Sequence, residues 1–148
     1  MTGYREKLSP AVWLIVAIGL FLPASMLIFL PLSIPLGVAV GLVLWWGSVA
    51  ILWAFAPSIS VDERGVQAGR ARIDHSLLGT LEVFRKEDAR AQRGVSLDAR
   101  AWLVITPWID PVLKITVIDD QDPTPYWLVS CKNPEKFQAA FEQARSAT

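Results

Sequence analysis

The chain has 148 residues, 53% of them hydrophobic, and its 14 Lys and Arg balance its 14 Asp and Glu. That length suits one small domain with an anchor, and zero net charge argues against a nucleic-acid binder, which needs clustered cations. One cysteine, Cys131, makes no internal disulfide, and with a single histidine it cannot assemble a zinc site.

No Asp, Glu, Lys, Arg or His occurs between Lys7 and Asp62, a run that a water-facing chain would interrupt. Ala11–Leu30 and Leu36–Phe55 each provide about 20 apolar residues, enough to cross a hydrocarbon core of roughly 30 Å. Pro31 and Pro35 bracket the turn between them, which predicts an antiparallel transmembrane hairpin. Pro23 should kink the first helix, with the freed backbone groups satisfied by the neighbouring helix. Arg5 and Lys7 precede the hairpin, Arg64, Arg70 and Arg72 follow it, and its turn is uncharged. The positive-inside rule then makes this a multi-pass protein of the cell membrane with both termini cytoplasmic. Trp13 and Trp53 fit an aromatic belt at one interface. A cleaved signal sequence ending near Pro23-Ala24-Ser25 is the rival reading, disfavoured because the apolar run continues to Leu30. Without an intramembrane charge the hairpin is an anchor or packing surface, not a transport path. Gly37 and Gly41 form a small-xxx-small pair, suited to packing the hairpin on itself or to joining copies.

Beyond Pro57 the texture becomes short alternating runs. Ser58–Asp62 reads as a strand, Glu63-Arg64-Gly65 as a turn, Val66–Ile73 as a second strand and Leu78–Phe84 as a third. Lys86–Arg93 is a polar insertion helix ended by Gly94. Ala101–Thr106, Val112–Ile118 and Tyr126–Ser130 are further strands, separated by the turns Pro107–Pro111 and Asp119–Pro125. Asn133 as N-cap and Pro134 at the first position open a last helix. There Phe137, Ala140, Phe141 and Ala144 share one face. The expectation is an α+β membrane protein. Residues 1–57 would be an N-terminal tail and two-helix hairpin. Residues 58–148 would be a cytoplasmic pleckstrin-homology (PH)-like domain, a bent antiparallel sheet or barrel capped by the C-terminal helix. Periodicity counts strands without deciding whether the barrel closes.

The order of elements, with the stretches Gly69–Ile73, Leu97–Ala101 and above all Asp122–Ser130 (DPTPYWLVS), resembles an actinobacterial family of two-span membrane proteins, domain-of-unknown-function family 3093. The resemblance spans nearly the whole chain and brings no activity, cofactor or catalytic residue with it. The closing strand, Asn-Pro-Glu and Phe-bearing helix are also similar to bacterial PH-like domains, which implies a fold and not a chemistry.

The residues themselves offer no reaction. Asp74-His75-Ser76 are chain neighbours, which do not face one another as a triad must, and read as a turn. Asp119, Asp120 and Asp122 are interrupted by prolines and lack the spacing of a calcium loop. No catalytic, cofactor-binding or metal-ligating residue is assigned. Trp102, Trp127 and Tyr126 suit a core, whereas Trp108, in a proline-bracketed turn, is expected to be at least partly exposed and to contact a partner. Arg64, Arg70 and Arg72 either meet anionic headgroups or simply mark the hairpin's positive flank. The expected function is a membrane-anchored, non-enzymatic interaction module, an accessory subunit or scaffold of a larger membrane assembly. Its partners would be membrane lipids and a membrane protein or second copy, with no nucleic acid and no small-molecule substrate. The alternative is a PH-like domain that binds anionic headgroups or a peptide at the cytoplasmic surface.

Overall fold

A computed structural model describes residues 3–146. One compact unit is Ser9–Ala56; the other joins the N-terminal residues through Leu8 to the chain from Pro57 onward.

The first unit is a helical hairpin of α1 (Val12–Ile18), α2 (Phe21–Phe29) and α3 (Ile34–Ala54). The first apolar stretch breaks at Gly19–Leu20, four residues before Pro23. Proline has no N–H to offer the Gly19 carbonyl, which instead takes the Leu22 N–H at 3.1 Å. The carbonyl that Pro23 frees is thus satisfied within its own segment rather than by the neighbouring helix; the Trp45 indole of α3 instead donates to the Ile15 carbonyl at 3.2 Å, which also accepts the Gly19 N–H. Pro35 sits in the first turn of α3, where its missing N–H costs nothing. Val12–Phe29 and Ile34–Ala54 have mean hydropathies of 2.5 and 2.0 and are long and apolar enough to cross a membrane. Their outward side chains are exposed, and the buried positions are Ser25, Gly37 and Gly41.

The second unit begins where a tail was expected. Tyr4–Lys7 is strand β1, antiparallel to β2 (Ser58–Asp62), with Tyr4 opposite Val61 and Lys7 opposite Ser58. The division at residue 57 is therefore corrected: the hairpin is an insertion between two paired strands. Burial explains the pairing, since Leu8 is fully buried and the Tyr4 ring meets Phe137 edge-on at 5.7 Å. The single strand expected over Val66–Ile73 is also two, β3 (Gly65–Ala68) and β4 (Ala71–Asp74). Gly69, with φ 63°, turns the chain between them in the left-handed region that side chains avoid. The order is β1-β2-β3-β4.

A 3-10 turn, His75–Leu77, leads to the second sheet, β5 (Leu78–Phe84), β7 (Val112–Val117), β8 (Tyr126–Ser130) and β6 (Trp102–Val104), ordered β5-β7-β8-β6. The sheet is not wholly antiparallel as expected, because β6 runs parallel to β8 at the edge. β6 is also shorter than the apolar run 101–106. At its end Thr106 N–H leaves the ladder for the Ser130 hydroxyl at 2.9 Å. Leu113, Ile115, Trp127 and Val129 face the main core, together with Ile59, Val61 and Val66 of the first sheet. The opposite face, with Val112, Tyr126 and Leu128, is covered by Ala89 of α4 (Lys86–Arg93) and by Leu97, Ala101 and Ile105. The insertion thus acts as a second cover, which is why every residue of β8 is buried. Helix α5 (Pro134–Ser146) starts at Pro134 as expected and sinks Phe137 and Phe141 into the main core.

Candidate functional site

The outward face of the first sheet carries its charges in rows set by register. Lys7 and Ser58 are opposite each other, and Gly69 N–H bonds the Ser58 carbonyl at 2.9 Å, which puts the Gly69–Arg70 turn at the same end. The next outward row is Arg5, Ser60, Gln67 and Arg72; beyond it come Asp62, Gly65 and Asp74, then the Glu63–Arg64 turn. Lys7 and Arg70 lie at the end where the chain leaves for the hairpin and returns, and the acids lie at the far end with Arg64.

This arrangement separates Arg64, Arg70 and Arg72, which the sequence groups together. Arg64 and Arg70 occupy turns at opposite ends of β3. Arg72 reaches across to Asp62, bonding both carboxylate oxygens, one of them at 2.6 Å. Desolvation opposes it, yet the bonds from Arg72 and from the Arg64 and Gly65 N–H groups hold the Asp62 carboxyl below the usual range. Arg72 is thus compensated, while among the described residues Arg5 and Arg70 have no ion-pair partner. A shallow concavity of about 320 Å³ opens on this face, lined in part by Arg5, Ser58, Ser60 and Gln67.

Glu6 is the residue that the reading of a tail missed. Its Oε1 accepts the Lys132 N–H at 2.8 Å, its Oε2 accepts the Tyr4 hydroxyl, and the Cys131 Sγ lies 3.8 Å from Oε2. The alternation Tyr4-Arg5-Glu6-Lys7, with Leu8 beyond it, was the one available signal. Burial, with Glu6 beside it, pushes the Cys131 thiol up to about 12, and burial with the Glu6 bond likewise raises the Tyr4 phenol. Both groups are held as protonated donors. A nucleophilic thiol needs the opposite environment, so the cluster fastens β1 to the start of α5.

His75 is buried, with Nε2 2.7 Å from the Asp62 carbonyl and its ring against Phe141 at 5.6 Å. A carbonyl only accepts, so Nε2 carries the hydrogen, and the ring braces the β2–β3 turn, with Asp74 and Ser76 exposed on either side. Among the described residues no three His, Cys, Asp or Glu side chains group as metal ligands. Trp108 is half-buried and packs against the main core. The more exposed large apolar groups of this unit include Trp102 and Leu103 on edge strand β6, and Ile118.

In the hairpin, Gly37 and Gly41 face α2. A Cβ on Gly37 would lie 3.0 Å from Met26 Cα; one on Gly41 would lie 3.0 Å from Leu22 Cα and collide with the Ser25 hydroxyl. Both glycines serve the packing of the hairpin on itself. Ser25 also bonds the Leu22 carbonyl at 2.9 Å, which satisfies its hydroxyl among apolar neighbours.

No curated protein and no solved structure matches the chain. Residues 3–141 match the family described as "Protein of unknown function (DUF3093)". That span runs from the edge of β1 through the hairpin and both sheets to Phe141 of α5, and the chain belongs to this family.

Proposed function

We propose that this protein is a non-enzymatic interaction module anchored in a membrane by its two-span hairpin, an accessory subunit or scaffold of a larger membrane assembly. One observation carries the reading: the hairpin is inserted between β1 and β2. Two folded flanks in one sheet favour a hairpin with both ends on the same side of the bilayer. Cleavage within the apolar region, as in a signal sequence, would cut β1 from its partner. The exposed apolar girdle of the helices supports insertion, because such a surface in water would aggregate. Arg5, Lys7 and Arg70 on the flanks favour the cytoplasmic side. The four-strand meander, the three-strand meander β5-β7-β8 and the closing helix α5 fit a PH-like plan, with β6 and α4 as additions.

An interaction role is favoured over catalysis because the half-buried Glu6 and Tyr4 and the buried Cys131 and His75 are each committed to holding a strand or a turn. Extraction in mild detergent tests the reading. A membrane-protein partner should copurify in fixed ratio, and Trp108→Ala should reduce its recovery while circular dichroism shows the fold intact. A chain that alkaline carbonate strips from membranes, or that extracts alone under all mild conditions, would sink the proposal. The second reading, binding of anionic headgroups, is favoured by the row of cations beside the chain exits.

A further inference from the structure

We propose that the outward face of the β1–β4 sheet, at its hairpin end, binds the phosphate headgroups of anionic lipids in the bilayer that holds the hairpin. This rests on the anchored reading above and names the partner of that face. The register places Lys7 and Arg70 in the row nearest the chain exits and Arg5 in the next. Asp62, Glu63 and Asp74 lie at the opposite end, together with Arg64. With Asp62 paired to Arg72 and Arg64 beside Glu63 the far end carries little net charge, so the cations at the hairpin end give the face its preferred way to lie against an anionic plane.

Chemistry and reach point to the same partner. The concavity offers the Arg5 guanidinium, the hydroxyls of Ser58 and Ser60 and the amide of Gln67; the Asp62 carboxylate also lines it, and its charge is taken up by Arg72. A planar guanidinium beside neutral donors matches the oxygens of a phosphodiester. Arg72, held by Asp62, frames this row without adding net charge. Four residues, 8–11, join β1 to α1, and three, 55–57, join α3 to β2. At 3.3–3.6 Å per residue neither tether extends beyond about 15 Å. The polar headgroup layer starts at the helix ends, so the cationic row is confined within reach of it.

The test uses the full chain, isotope-labelled, in neutral detergent micelles, followed by amide chemical shifts. Short-chain phosphatidylglycerol should shift Ser58, Ser60, Gln67 and Arg70 saturably, and added salt should weaken the effect. Phosphatidylcholine should leave these amides in place. Arg5→Gln with Arg70→Gln should lower the apparent affinity on the order of tenfold with the remaining spectrum unchanged. Equal shifts with phosphatidylcholine, equal shifts with inorganic phosphate, or an unaltered response in the double variant would each overturn the proposal. Carbonate extraction of membranes separates the two ideas. A chain that stays in the membrane but shows no lipid-dependent shift defeats this inference alone, and a chain that is released defeats the anchored reading itself.

Discussion

The hairpin and the β unit solve the same packing problem in opposite ways. In the hairpin the close contact is made by removing side chains: Gly37 and Gly41 let α3 come against Leu22, Ser25 and Met26 of α2, and the large residues point outward. In the β unit the contact is made by adding them, with Phe137, Leu8, Ile59, Leu113 and Ile115 filling the centre and charges left outside. The contrast teaches what drives each. Under the anchored reading proposed above, helices in an apolar solvent gain nothing from hiding apolar groups and associate through close backbone approach, whereas a unit in water is held by apolar burial.

Four substitutions can break or sharpen that comparison. The largest effect belongs to Phe137→Ala, which should cost the β unit about 3–5 kcal/mol as a core truncation. Near-ultraviolet circular dichroism in detergent should show loss of tertiary structure while hairpin helicity persists. Loss of both signals together would mean the two regions are not independent.

Gly41→Leu reverses the chemistry and should cost the hairpin roughly 1–3 kcal/mol by overpacking, leaving the β unit unchanged. Gly47→Leu is the control, because nothing lies within 4 Å of a Cβ built there. Cysteine crosslinking between α2 and α3 should fall only in the Gly41 variant; equal crosslinking in both variants would remove Gly41 from the helix contact.

Next comes Glu6→Ala, which strands the Lys132 N–H and the Tyr4 hydroxyl and should cost roughly 1–3 kcal/mol. The same cluster predicts a pH dependence. The Cys131 thiol is pushed from its ordinary 9.0 up to about 12, so the folded chain holds a proton that the unfolded chain releases between those values. Its contribution is therefore complete below pH 9 and is lost as pH rises towards 12. The raised Tyr4 phenol acts in the same direction. Denaturation midpoints should decline above pH 9, and less steeply in Cys131→Ala; an identical decline in that variant would exclude the thiol as a source.

The smallest effect is expected for Arg72→Ala. Its pair with Asp62 is about half exposed, with 40% and 45% of the two side chains accessible. Screened pairs of this kind contribute roughly 0–1 kcal/mol, so a midpoint shift well beyond that range would assign Arg72 a further contact.

The hairpin and the closing helix could be read from the chain because each is encoded locally. An uninterrupted apolar run with prolines at its turn, and Phe137 and Phe141 spaced on one helical face, report their environment without a distant partner. The candidate site could not be read in this way. Arg64, Arg70 and Arg72 are close in sequence, but a strand advances about 3.3 Å per residue, so β3 carries Arg64 and Arg70 to opposite ends. Arg5 and Gln67 are far apart in sequence and become neighbours only through the pairing of β1, β2 and β3.

By itself, then, the sequence determined where the chain is apolar enough to span a membrane, where the β unit begins after it, and which helix closes that unit. Tertiary structure alone decided that Tyr4–Lys7 is a strand, that β6 lies parallel to β8, and that Glu6 meets Cys131. Local patterns specify how a segment is solvated. Pairing across the 49 residues between Leu8 and Ser58 depends on which edge remains open once the rest has packed, and no window of sequence contains that information.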